Sequence, residues 1–179
     1  SACAGTYSVS VSNPRGSVTS HDAVIALATS SPYKGLHPGD IVWALPLDTN
    51  PVPASAPAGV SWLKDEPAGS SSVQITSPVM DRSHFYGFSL PIDLSTYAGA
   101  QVLLSCSIKA QGVTQPADTF NGVKVILSFD SASKGHQSAA HGNLFGTFDW
   151  QTFTCLANVT ADATNARLLF GFQGCGGTA

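Results

Sequence analysis

Between residues 71 and 179 the chain alternates between apolar and polar side chains with a period of two, and this pattern leaves the strand as its main regular structure. In 123–130, Val123, Val125, Leu127 and Phe129 share one face, while Lys124, Ile126, Ser128 and Asp130 share the other. In 166–173, Leu168, Phe170 and Phe172 oppose Arg167, Leu169, Gly171 and Gln173. Strands are likewise predicted at 72–76, 84–90, 102–109 and 151–159, each bounded by turn-forming Gly, Pro, Asn or Asp. No stretch of comparable length repeats near 3.6 residues. Composition agrees. Charged residues are 11% of the chain, against about 25% in ordinary soluble proteins. Glu66 is the single glutamate, so the Glu–Lys pairs that support exposed helices cannot be built. Short strands in series predict an all-β, antiparallel fold, a β-sandwich or a barrel, of which the β-sandwich is the expectation.

The first 70 residues are less regular. Residues 6–11 alternate, 23–28 form a short apolar run, and 40–47 read as a strand. Pro46, Pro51, Pro53, Pro57 and Pro67 then exclude a central strand and predict an extended loop. At 179 residues the chain fits one domain, 1–179, with N-terminal strands and a Pro-rich loop in 1–70 and the regular sandwich in 71–179.

The net charge of −3 and the scattered basic residues disfavour a nucleic-acid partner or an anionic membrane surface. No apolar run is long enough to span a bilayer. The first residues have no basic flank followed by an apolar stretch, as expected of a mature secreted chain after signal-peptide removal. Cys3, Cys106, Cys155 and Cys175 contain no CxxC spacing and are compatible with two disulfides in an extracellular setting. Cys106 and Cys155 both fall on core faces, where they either pair, if their strands are neighbours, or stay as buried thiols. Pairing is the favoured expectation, and it leaves Cys3 and Cys175 as the second bridge. The triplet Asn158-Val159-Thr160 is a glycosylation sequon compatible with a eukaryotic secretory route.

Three stretches resemble one family. They are Pro91-Ile92-Asp93-Leu94-Ser95-Thr96-Tyr97-Ala98-Gly99 with the following strand ending in Lys109, then Gly146-Thr147-Phe148-Asp149-Trp150-Gln151-Thr152-Phe153, then residues 163–172 with the glycine turn from Gly174 to Gly177. Together they are similar to galactose-binding-like jelly-roll carbohydrate-binding modules, which accompany polysaccharide-degrading enzymes. The resemblance covers about residues 71–179 and implies a jelly roll whose concave sheet face holds a glycan. It also implies that no cofactor is required, although family members often hold a structural calcium ion beside a final strand. The sequence reaches Ala179 before such a strand.

Glycoside hydrolysis uses a pair of carboxylates, most often glutamates, and Glu66 has no glutamate partner. Many of the aspartates, Asp162 among them, sit in turn-like settings. No Gly-x-Ser-x-Gly elbow occurs. His136 and His141 with Asp130 match no established metal-ligand spacing and read as a loop between strands. No catalytic residue is assigned. Sugar binding needs aromatic faces and fixed hydrogen-bonding groups. The polar face offers Lys124, Ser128, Asp130, Arg167 and Gln173, and the strand at 84–90 adds either His84 and Tyr86 or Phe85, according to register. Trp62 and Trp43 are platform candidates, while Trp150 is read as structural. The expected function is a secreted, non-catalytic module that holds a β-linked polysaccharide, such as a glucan or xylan, for a linked glycoside hydrolase. A jelly-roll lyase or hydrolase and a purely structural or adhesive sandwich are the alternatives.

Overall fold

The computed structural model describes residues 5–7, 10–13, 16–19, 23–25, 54–64, 71–79, 81 and 84–179. The backbone divides into two compact units, Ser1–Val42 and Trp43–Ala179. In the first, β1 (Gly5–Tyr7), β2 (Ser10–Asn13), β3 (Gly16–Thr19) and β4 (Ala23–Ile25) make two antiparallel pairs, β1 with β4 and β2 with β3. The strand expected at 40–47 lies outside the described residues.

The second unit contains β5 (Val60–Lys64), β6 (Ser71–Ser77), β7 (Phe85–Pro91), β8 (Gln101–Val113), β9 (Gly122–Ser131), β10 (Gly135–Ala140), β11 (Gly146–Asn158), β12 (Ala163–Gln173) and β13 (Gly177–Thr178). A single 3-10 turn, Ser95–Tyr97, is the only helical element among the described residues. The strands form two antiparallel sheets, β11-β8-β13-β6-β5 and β10-β9-β12-β7. Hairpins join β5 to β6 and β9 to β10, and every other connection crosses from one sheet to the other. This is an all-β sandwich. Its core is the alternating apolar set read from the sequence: Val123, Val125, Leu127 and Phe129 from β9 and Leu168 and Phe172 from β12, facing Ile108 and Ala110 from β8. Burying a side chain of this size contributes about 1.5–3 kcal/mol, which explains why the alternation is so regular in these strands.

Three elements depart from the expectation. Residues 60–64, expected within the Pro-rich loop, form β5, because this Pro-free stretch between Pro57 and Pro67 pairs with β6 at the sheet edge, where flanking prolines are tolerated. Residues 135–140, expected as loop, form β10, hairpinned to β9 through Gly135 at φ +72°. The short strand β13 sits between β8 and β6.

The disulfide expectation is corrected: Cys106, Cys155 and Cys175 are free thiols. Cys106 stands opposite Phe153, and Cys155 opposite Leu104, so the two cysteines are diagonal neighbours on paired strands. Diagonal positions lie roughly 7–8 Å apart, beyond comfortable disulfide reach. Burial raises the Cys106 pKa to about 11. Cys175 is fully buried, and Cys3, its expected partner, lies outside the described residues.

Candidate functional site on the outer face of the four-stranded sheet

Strand register stacks the outward side chains of β7, β12, β9 and β10 in rows across the sheet. Pro91, Arg167, Ser128 and Ser138 form one row, and Ser89, Leu169, Ile126 and Ala140 the next. Gly87, Gly171 and Lys124 follow, then Phe85 and Gln173. The adjacent glycines leave a strip without side chains, in which Gly87 is half-buried and Gly171 buried. A Cβ on Gly87 would sit 1.9 Å from the Phe170 carbonyl oxygen, and one on Gly171 would sit 2.2 Å from that of Tyr86. Neither position has room for a side chain.

At one end of this face a polar cluster lines an open depression of about 390 Å³, with Pro91 and Ala166 beside it. A bulge in β12 between Thr164 and Arg167, with Asn165 at φ +52°, turns the Asn165 amide toward β9. There Asn165 Nδ2 donates to Asp130 Oδ2 at 3.1 Å. His136 stands opposite Asp130 on β10, and its Nδ1 lies 3.0 Å from Asp130 Oδ1. The same ring presents Nε2 to Ser128 Oγ at 3.3 Å. The hydrogen bonds from His136 and Asn165 hold the Asp130 carboxyl below the usual carboxylate range. Arg167, opposite Ser128 on the other side, donates from Nε to Ser89 Oγ at 3.2 Å and pairs with no carboxylate among the described residues.

The hairpin that carries His136 is itself anchored. Asp162, in the turn before β12, accepts from Ser131 Oγ and from the Ser133 backbone N–H, each at 2.8 Å. The Lys134 N–H donates to Ser131 Oγ at 3.0 Å. The β9–β10 turn is thereby held by a side chain from a different connection.

Of the residues singled out in the sequence, Ser128, Asp130 and Arg167 come together in the depression. Gln173 is half-buried at the other end of the same face, opposite Phe85. Lys124 lies on this face but is buried, and its ammonium donates to the carbonyls of Phe120 and His141. Burial lowers the pKa of that lysine. Tyr86 is corrected: opposite Phe172 it packs on the core side, which leaves Phe85 as the aromatic of the outer face. His84 is exposed ahead of β7. Trp62 lies on β5, in the other sheet, where its half-buried ring packs edge-on against Phe88 at 5.7 Å between centroids. It is therefore part of the core packing. Trp43 lies outside the described residues.

Asn165 and Ser89 carry no site expectation from the sequence, and His136 is expected only in a loop, its grouping with His141 and Asp130 matching no metal-ligand spacing. The signal that could have found His136 is the sequence Ser131-Ala132-Ser133-Lys134-Gly135, a hairpin turn that returns the chain alongside Asp130. His141 is separated from His136 and stacks edge-on with Phe153. No group of three His, Cys, Asp or Glu side chains close enough to hold a metal ion occurs among the described residues. Comparison with protein-family models, with curated proteins and with solved structures returns no match for this chain.

Proposed function

We propose that this chain is a jelly-roll carbohydrate-binding module, secreted, which holds a β-linked polysaccharide for an associated glycoside hydrolase and leaves the glycosidic bond intact. The observation that carries the reading is the composition of one sheet face. Half-buried Leu169 and Ile126 on one side and Phe85 on the other flank a strip without side chains, made of half-buried Gly87 and buried Gly171. Sugar rings present apolar faces to such surfaces, and their hydroxyls need fixed donors and acceptors at the rim. Arg167, Ser89 and Gln173 supply those. The run of sheet-to-sheet crossovers supports the jelly-roll assignment. Secretion is supported by the charge-poor composition, and the free thiols Cys106, Cys155 and Cys175 add nothing to it.

Affinity gel electrophoresis against soluble glucans, xylan, mannan and galactan tests the reading. Retardation by at least one polymer is expected, weakened about tenfold or more in Arg167→Ala, a loss in keeping with charge-assisted hydrogen bonds. A chain that migrates unchanged through all of these polymers overturns it.

A further inference from the structure

We propose that Ser128, His136 and Asp130 form a nucleophilic relay that opens short-chain ester bonds by acyl transfer. The inference does not depend on glycan binding, and opening an ester leaves a glycosidic bond untouched.

Three geometric facts carry it. Asp130 accepts from His136 on one oxygen and from Asn165 on the other, so its carboxylate is fixed at both ends. An ionised carboxylate only accepts hydrogen bonds, so the proton of neutral His136 resides on Nδ1. That leaves the Nε2 lone pair facing Ser128 Oγ at 3.3 Å. A nucleophile, a base with its lone pair on that nucleophile, and a third group fixing the base are the elements of a serine relay, which is recognised by geometry and not by position in sequence. Arg167 completes the arrangement. It stands across from Ser128, on the side away from β10, and its Nε is tied to Ser89. The remaining guanidinium N–H groups are donors for an oxyanion formed above Ser128.

The reaction balances without a redox partner. Ser128 Oγ bonds to the acyl carbon as its proton passes to His136 Nε2, and the carbonyl oxygen becomes an oxyanion beside Arg167. The bond from that carbon to the alcohol oxygen then breaks, His136 returns the proton to the departing alcohol, and the acyl group remains on Ser128. Water attacks the acyl-serine, His136 takes its proton, and the proton returns to Ser128 Oγ as the carboxylic acid leaves. The depression is open, so the alcohol portion can extend into solvent, and Pro91 and Ala166 are the apolar part of a lining that suits a short acyl group such as acetyl.

The full chain is incubated with p-nitrophenyl acetate and, separately, with a fluorophosphonate probe, and the modified peptide is located by mass spectrometry. One acetyl or phosphonyl group on Ser128 is expected, absent in Ser128→Ala. His136→Gln lowers the acylation rate about 10²–10⁴-fold. Asp130→Asn, which alters a positioning residue, lowers kcat while leaving KM unchanged. Ser128→Cys keeps a nucleophile at the same place and still takes up the acetyl group, and matching thermal midpoints establish that the variants are folded. Absence of any adduct on Ser128 in the folded wild-type chain, or p-nitrophenolate release that Ser128→Ala does not reduce, overturns the proposal and reduces the cluster to a polar ladder between strands.

Discussion

Asp162 sits in the connection between β11 and β12, yet its two carboxylate oxygens hold Ser131 and Ser133 of a different turn. The hydrogen bond from Ser131 leads the causes that hold its pKa well below the usual carboxylate range. A carboxyl whose folded pKa is depressed stabilises the fold above its unfolded value, and that contribution fades as pH falls through the folded value. Asp162→Asn removes the charge and weakens these bonds. In urea denaturation the midpoint of Asp162→Asn is expected to fall furthest below wild type at neutral pH, with the gap closing below the unfolded carboxylate value of about pH 3.9. Other depressed carboxyls, Asp130 and Asp93, are common to both proteins and cancel in this difference. A gap that does not vary with pH contradicts the assignment.

Strands β7 and β12 meet at paired glycines, and the reason is steric before it is functional. With a Cβ placed 1.9 Å from a backbone oxygen, Gly87→Ala forces the two strands apart. Such overpacking costs about 1–3 kcal/mol, to be read as a lowered urea midpoint with the slope preserved. A variant as stable as wild type shows that the strands can separate at no cost. The same strand pair explains what the sequence could and could not reveal. Alternation alone placed Val123, Val125, Leu127 and Phe129 in the core and Ser128, Asp130 and Arg167 on one outer face. It left β7 undecided, because Phe85, Tyr86 and Phe88 put aromatics on both of its faces. Pairing of Tyr86 with Phe172 settles this, and that contact spans most of the sandwich sequence. The strand that carries His136 reads as a loop for a different reason. Gly135–Ala140 carries no β-branched residue and no Phe, Tyr or Trp, and it forms through its hairpin with β9.

Across the whole sandwich, cohesion comes from the core and from the aromatic contacts packed into it. Trp62 of β5 meets Phe88 of β7, which stacks on Phe170 at 5.1 Å and so joins the two sheets. Phe148 and Phe153 of β11 pack together at 6.0 Å, with His141 against Phe153. No covalent bridge is required by this arrangement, because Cys106, Cys155 and Cys175 are all free. The thermal midpoint is therefore expected to be the same with and without reductant. Iodoacetamide at neutral pH should modify Cys106 and Cys175 only as the protein unfolds, since the thiolate is the reactive form and burial raises both pKa values. A midpoint that drops on reduction would mean that one of these thiols is oxidised in the folded protein. For Cys106 and Cys155, bonding would require β8 and β11 to shift from the diagonal register that now separates them. That register also aligns Leu103 with Leu156 and Gln101 with Asn158, so oxidation would act on the whole five-stranded sheet.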